Sequence, residues 1–155
     1  MSALKASAKN VILPAILIVI ILLTAGWTYY SSRAKAPTLP ASTIIAESVL
    51  EEKYGLRVNL VALTAGGGMV DLRLKIIDSQ KASLLLTDKN NFPALYVNDG
   101  GITLNASEDD KSQGIKLEDN GSVYLLFPNA SNAVKPSAEV SILFGDIAIE
   151  AIAVK

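Results

Sequence analysis

Side chains with oxygen atoms that could bind a metal are concentrated in one stretch of the sequence. Asn105, Glu108, Asp109, Asp110 and Asp119 lie close together in what is expected to be a long loop. Calcium prefers carboxylate and amide oxygens, so these five residues are the candidate metal ligands. The D-x-[DN]-x-[DN]-G spacing of an EF-hand is absent, and lysines interrupt the stretch. A solvated acidic loop is therefore the favoured interpretation, and calcium binding is the alternative.

Histidine and cysteine are both absent from the 155 residues. Without them there can be no disulfide framework, zinc finger, iron–sulfur cluster or catalytic cysteine, and serine or carboxylate chemistry would lack an imidazole partner. The formal net charge of -1 argues against a nucleic-acid-binding protein. No catalytic residue and no cofactor site is predicted, and we expect a protein that is not an enzyme.

Glycines mark two tight turns. Gly66, Gly67 and Gly68 lead into a strand pattern and lack the Lys-Ser or Lys-Thr pair of a phosphate-binding loop. Gly145 lies between two apolar stretches. Glycine is the residue that adopts a positive φ most readily, so these positions are predicted to be turn glycines and not ligand sites.

Three asparagines begin N-x-S sequons. They are Asn105, Asn120 and Asn129. Such sites accept glycans only in an exported protein from a source that glycosylates, so the sequence leaves their role open.

The longest apolar stretch lies near the N-terminus. Residues 10–32 contain no charged side chain, and Val11–Tyr30 is almost entirely apolar. Twenty helical residues span about 30 Å, the thickness of the hydrocarbon core of a bilayer. Trp27, Tyr29 and Tyr30 follow at the end, where aromatic rings favour the membrane interface. The stretch predicts one transmembrane helix over residues 11–30, and the lipid bilayer is therefore an expected partner.

Other interpretations of this stretch are less favoured. A cleaved signal peptide would be shorter, although Ala34-Lys35-Ala36 does fit a small-x-small cleavage pattern. A pilin-type leader would carry an acidic residue inside the helix, and a soluble helix apolar on every face would need a larger protein around it. A tail of residues 1–10 before a single helix is typical of a signal anchor. We therefore expect the C-terminal domain on the periplasmic or extracellular side.

Two segments connect the anchor to the domain. Residues 31–42 contain two prolines and no apolar periodicity, which predicts a stiffened linker. Thr43–Tyr54 has apolar residues at helical spacing, with Ser42 or Thr43 as a possible N-cap and Gly55 placed to end the helix. A short amphipathic helix is expected at the start of a domain that covers residues 43–155.

The rest of the chain has the pattern of strands and turns. Leu56–Ala65 and Met69–Asp78 flank the glycine turn and predict a hairpin. Further strands are predicted at Pro93–Val97, Ile102–Asn105, Ser122–Phe127, Glu139–Phe144 and Ile147–Val154, whereas Ala82–Thr87 is ambiguous between helix and strand. About seven strands without long crossover helices predict a mainly β domain, an antiparallel Ig-like β-sandwich. Its core is expected to include Phe92, Tyr96, Tyr124 and Phe127.

Two stretches, Tyr54–Asp78 and Ser122–Val154, resemble a group of membrane-anchored bacterial domains. In that group a GGGMVDLRY-like hairpin comes early, and a Y-L-hydrophobic-N…VKPG…V…GD…E…V ending closes an Ig-like sandwich. This sequence departs from the pattern at Ser137, where the group has glycine after the proline. The resemblance implies an exported, tethered β-sandwich, and it supplies no catalytic residues.

These features favour one functional class over two others. We expect a single-pass membrane-anchored β-sandwich that acts as an accessory subunit or interaction module of a membrane complex, with other membrane proteins as partners and no nucleic acid. The first alternative is an exported module that binds calcium or another ligand through the acidic loop. The second is a filament or surface subunit joined by strand addition, with Ile147–Val154 as the edge strand.

Overall fold

The computed structural model describes residues 38–107, 110–111 and 114–155. Among these residues it contains nine strands and two α-helices. In chain order they are β1 (Thr43–Ile45), α1 (Glu47–Tyr54), β2 (Leu56–Thr64), β3 (Met69–Ile76), α2 (Ser79–Leu86), β4 (Ala94–Val97), β5 (Ile102–Asn105), β6 (Ser122–Pro128), β7 (Glu139–Phe144), β8 (Ile147–Ile149) and β9 (Ile152–Ala153). The chain is mainly β, as the sequence predicts.

The strands form two sheets. The larger sheet has the order β1-β8-β7-β4-β5, and β9 also pairs with β7; the smaller sheet has the order β2-β3-β6. All neighbouring strands are antiparallel except β1 and β8, which run parallel. The prediction of an entirely antiparallel sandwich was therefore wrong at this pair, and the described strands number nine instead of about seven.

The core lies between the two sheets. Inward-facing side chains of the smaller sheet, such as Leu72 and Phe127, belong to the same buried cluster as Leu95 and Ile142 of the larger sheet. The largest side chains that are completely buried are Phe127, Phe144, Leu50, Leu56, Leu72, Leu74, Ile76, Leu85, Leu95, Ile142, Ile149 and Val70. Burial of this apolar surface holds the sheets together and gives the domain its sandwich-like form.

The segment at the start of the domain differs from the prediction of one helix over Thr43–Tyr54. Thr43–Ile45 is strand β1, and α1 begins only at Glu47, with Ala46 as an N-cap that makes no side-chain hydrogen bond. Ser42 or Thr43 is therefore not the cap, because both residues lie at or before the strand. Gly55 does end the helix in the left-handed conformation, and its N–H reaches the last carbonyls of α1.

The secondary structure of two other segments differs from the prediction, or decides between its alternatives. The ambiguous stretch Ala82–Thr87 lies mostly in α2, which buries Ala82, Leu85 and Leu86. The stretch predicted as one strand, Ile147–Val154, is divided into β8 and β9. β8 lies between β1 and β7, whereas β9 pairs with β7 alone among the described strands, so strand addition through this stretch stays a prediction.

The predicted transmembrane helix over residues 11–30 lies outside the described residues. The same is true of the tail and of most of the predicted linker. In the part of the chain that the structure does describe, no helix has the length and apolarity that a bilayer crossing requires.

Candidate interaction surface

Asp119, one of the predicted metal ligands, contacts the start of α2. Ser79 N–H donates to Asp119 Oδ1 at 2.7 Å, and Lys81 N–H donates to Asp78 Oδ1 at 3.0 Å. Two otherwise unpaired N–H groups of the first turn are thereby satisfied. The hydrogen bond from the Ser79 backbone lowers the pKa of Asp119 below its usual value, because that bond favours the charged carboxylate.

We expect the stability that the Asp119 charge contributes to disappear in acid. A lowered folded-state pKa stabilises the fold above the unfolded pKa of about 4, and this contribution is lost as the pH falls through the lower folded value. Asp119→Asn should therefore lower the melting temperature at pH 7 and have a smaller effect near pH 3, as measured by circular dichroism. Asp119→Ala also removes the acceptor atom and should cost more at pH 7. A difference between wild type and Asp119→Asn that is constant with pH would contradict this prediction.

The other described members of the acidic loop do not form a metal site with Asp119. Asp110 accepts a hydrogen bond from Ser107 Oγ at 2.8 Å, and Asn105 is exposed on β5. Glu108 and Asp109 lie outside the described residues. Within the described part of the chain, no three acidic side chains are grouped closely enough to hold a metal ion. Calcium binding by this loop stays a prediction.

The predicted turn glycines differ in conformation. Gly66, Gly67 and Gly145 have positive φ angles of 64°, 90° and 58°. Gly68 has a φ of -76°, which other residues also adopt. Two of the three glycines in this turn therefore have a left-handed backbone conformation. The turn joins β2 to β3.

A buried amide fastens this turn to the end of β6. Asn129 Nδ2 donates to Gly67 O at 2.8 Å and to Val134 O at 2.9 Å, and Val134 N–H donates to Asn129 Oδ1 at 2.9 Å. Asn129 is 5% exposed. N-glycosylation would replace one Nδ2 hydrogen, so the folded chain cannot carry a glycan on this sequon without losing one of these bonds.

The outer face of the smaller sheet presents a group of exposed side chains on β3 and β6. Tyr124 is 65% exposed and Leu126 is 45% exposed. Across the strand pair, Tyr124 lies opposite Arg73 and Leu126 lies opposite Asp71. We call these four residues the β6 patch. It joins an aromatic ring, an aliphatic side chain and an ion pair on one surface.

The ion pair orients the guanidinium group of the patch. Arg73 donates to Asp71 Oδ2 from Nε at 2.9 Å and from Nη2 at 2.7 Å, and this bond raises the pKa of Arg73. The guanidinium carbon lies 5.5 Å from the centre of the Tyr124 ring, within the range of a cation–π contact. Asp71 is almost buried. The Arg73 side chain is therefore held in one orientation by Asp71 and the Tyr124 ring.

The strand that carries the patch is at the edge of its sheet. β6 pairs with β3 and with no other strand among those the structure describes. A groove of about 230 Å³ runs beside it, between the chain at Gly114, Ile115 and Lys116 and the strand at Ser122 and Tyr124. An edge strand has unpaired backbone groups, which are a common place for another chain to bind.

The sequence interpretation placed Tyr124 in the core, and this was wrong. The run SVYLLF is apolar at nearly every position, so its own pattern does not show which side chains face outward. The neighbouring strand β3 does alternate, with Asp71 and Arg73 on the outer face. Pairing Tyr124 with Arg73 would have revealed its exposure, but the sequence does not show that register.

The three aromatic residues predicted to lie at the membrane interface, Trp27, Tyr29 and Tyr30, are outside the described residues. Their role stays a prediction from the sequence, as does the membrane anchor itself.

Comparisons with known proteins add no family and no relative. The chain matches no known protein family, and neither the curated proteins nor the solved structures contain a significant match. The resemblance to membrane-anchored bacterial domains therefore stays a prediction, and function has to be inferred from the surfaces of the domain itself.

Proposed function

We propose that the chain is a non-enzymatic, single-pass membrane protein whose β-sandwich binds another protein of a membrane complex through the β6 patch. The proposal includes the signal anchor at residues 11–30, the extracytoplasmic position of the domain and the Ig-like version of the sandwich. The observation that carries it is the exposed Tyr124 ring on the edge strand β6, held beside the oriented Arg73 of β3.

The composition of the patch supports a protein partner. Tyrosine and arginine are enriched among the residues that contribute most to protein–protein binding, and a neighbouring apolar side chain such as Leu126 adds area that excludes water. A lone exposed apolar residue would not need explanation, but here two alternate positions on the same face of one strand, Tyr124 and Leu126, are exposed.

The charges near the patch favour a protein over an anionic polymer or lipid. Arg73 is paired with Asp71, and Lys116 is paired with Glu118 at 2.7 Å. Because Arg73 and Lys116 each already have a carboxylate beside them, neither supplies much uncompensated positive charge with which to attract phosphate groups, and Lys75 on the same face donates to the carbonyl of Asn120. We infer that the partner presents a neutral, partly apolar surface to β6.

We expect Tyr124→Ala to weaken binding of the partner about 30-fold or more, because truncation of a tyrosine at a binding hot spot costs about 2 kcal/mol or more of binding free energy. The full-length chain would be purified in mild detergent from cells that carry it, and the co-purified partner would be quantified by mass spectrometry. Leu84→Ala is the matched control, since Leu84 is 71% exposed on α2, away from β6.

Two results would contradict the proposal. One is a wild-type chain that purifies as a monomer with no stoichiometric partner. The other is a partner retained equally by Tyr124→Ala and Leu84→Ala. Recovery of a second copy of the chain itself would replace the proposed partner by self-association through β6. Protease protection in spheroplasts tests the position of the domain separately, because an extracytoplasmic domain is digested without lysis.

A further inference from the structure

The chain that leads into β1 lies on the outer face of the larger sheet. A small buried cluster on this face contains Tyr96, Leu143 and Ala148, which belong to β4, β7 and β8. Leu39 and Ala41 lie outside the sheet and pack against this cluster. The end of the predicted linker therefore covers the three side chains. We call residues 38–45, which include β1, the strap.

The strap buries little of its own apolar surface. None of its residues is buried: Leu39, Ala41 and Ile45 are half-buried and the others are exposed, with Ile44 60% exposed. By contrast, β7 beneath it is buried at every position after Glu139. Apolar burial is the main source of stability, so a segment that buries little opens at a much lower free energy than the core.

The hydrogen bonds of the strap are concentrated on one acceptor. Ser42 N–H, Thr43 N–H and Ser42 Oγ all donate to Asp146 O, at 3.0, 3.1 and 3.3 Å. A carbonyl oxygen has two lone pairs, so three donors share two acceptor positions. Glu150 N–H donates to Ile45 O at 3.0 Å. β1 has three residues and runs parallel to β8, and parallel pairing is slightly less stable per residue than antiparallel pairing.

The cluster beneath the strap contains an unpaired polar group. Tyr96 is 4% exposed, and among the described residues its hydroxyl is the one buried side-chain polar atom without a hydrogen bond. Burial without a partner has a free-energy cost, because the water that the hydroxyl loses is not replaced. Water reaches this face when the strap is absent from it. The covered arrangement therefore has a cost that the uncovered one lacks.

We propose that the strap is a releasable segment of the fold. In the closed form it lies on β8 and on the Tyr96 cluster, and in the open form it leaves the sheet while the sandwich stays folded. The core between the sheets contacts the strap through Ile45 alone. The next residue that the core buries completely is Leu50 of α1, which lies beyond the strap.

Release of the strap lengthens the linker that precedes the domain. Eight residues in extended form span at most about 29 Å. The open form would therefore let the domain move that much farther from a membrane. This consequence rests on the proposed anchor at residues 11–30, whereas release of the strap does not.

Thiol labelling tests the release, because the chain has no cysteine of its own. Ala148→Cys places a thiol under the strap, and Ala82→Cys places one in the core on α2; both alanines are fully buried. The full-length variants in mild detergent would be treated with iodoacetamide and followed by mass spectrometry. We expect labelling of Ala148→Cys to be at least tenfold faster than labelling of Ala82→Cys. Its rate should also change little in low urea, because a local opening exposes little surface.

A second position guards against an effect of added volume at residue 148. Leu143→Cys removes volume from the same cluster and should be labelled in the same way as Ala148→Cys. The urea unfolding curve of each variant gives the labelling rate that global unfolding alone would allow. Labelling of Ala148→Cys and Leu143→Cys at that rate, with the urea dependence of Ala82→Cys, would overturn the proposal.

Tyr96→Phe tests the role of the unpaired hydroxyl. It removes a group that is unpaired in the closed form and hydrated in the open form, so it should slow the labelling of Ala148→Cys about fivefold or more. An unchanged rate would overturn the role assigned to the hydroxyl. These measurements require neither a partner nor Tyr124, so their outcome is independent of the function proposed for the β6 patch.

Discussion

Gly55→Ala is expected to lower the free energy of unfolding by roughly 2–4 kcal/mol, because it combines backbone strain with a steric clash. Gly55 has a φ of 59°, in the left-handed region, which costs about 1–2 kcal/mol for a residue with a Cβ. A Cβ at this position would also lie 2.7 Å from Asp78 O and 2.8 Å from Asp78 Cβ. Real Cβ atoms do not approach neighbours so closely, so the backbone must move.

That movement would disturb both helices. Gly55 O accepts hydrogen bonds from Ile77 N–H at 2.7 Å and Asp78 N–H at 3.2 Å. Asp78 in turn caps α2 by accepting from Lys81 N–H. A shift that relieves the clash therefore weakens the junction between the end of α1 and the start of α2.

Gly66→Ala is the matched control for this prediction. Gly66 has a similar φ of 64°, but a Cβ there would have no neighbour within 4 Å. The loss of unfolding free energy in Gly66→Ala should therefore be limited to the backbone strain of about 1–2 kcal/mol. Both variants would be measured in the full-length chain by denaturant unfolding followed by circular dichroism. Equal losses of unfolding free energy in Gly55→Ala and Gly66→Ala would contradict the prediction, because the close contact with Asp78 would then have no effect on stability.

Local sequence signals predicted the hairpins and the end of α1 correctly. The polar and apolar alternation of Met69–Asp78, together with the glycine turn, identifies the β2–β3 pair, and Gly55 marks the end of the helix. Each of these features depends on residues that are neighbours in sequence, so the pattern alone contains the information.

The errors arose where structure depends on distant residues. The stretch Thr43–Ile45 fits a helical pattern with the residues that follow. It forms a strand because it pairs with β8, which lies more than 100 positions later in the sequence. A tight turn does not connect two parallel strands, so the sequence contains no local turn signal that predicts this pair. The β6 patch was missed for the same reason, since the exposure of Tyr124 follows from its register with β3 and from the position of β6 at a sheet edge.

The surroundings of Tyr96 could not be predicted from the sequence for a further reason. Tyr96 was predicted to be a core residue, and it is buried. Its burial comes partly from Leu39 and Ala41, which belong to a segment predicted as linker. Whether a buried tyrosine has a hydrogen-bond partner depends on packing among separate segments, so no spacing rule reveals it.

Asn129→Ala should lower the free energy of unfolding by roughly 3 kcal/mol, because it removes three hydrogen bonds from a buried position. The larger part of this cost comes from the groups left behind. Val134 N–H and the carbonyls of Gly67 and Val134 lose their side-chain partner, and an unpaired buried group costs about 1–3 kcal/mol. Denaturant unfolding of the full-length chain measures the loss.

Two further variants test why Asn129 is needed. Asn129→Asp keeps an acceptor for Val134 N–H but directs carboxylate oxygens at the carbonyls of Gly67 and Val134, so it should destabilise the fold at neutral pH at least as strongly as alanine. Asn105→Ala, at an exposed asparagine on β5, should change stability by less than about 0.5 kcal/mol. If Asn129→Asp were as stable as wild type, the two Nδ2 hydrogen bonds would not fasten the glycine turn. The link between the β2–β3 turn and the end of β6 would then depend on backbone contacts, the bond from Asn129 N–H to Gly68 O at 2.9 Å and the pairing of Met69 with Pro128.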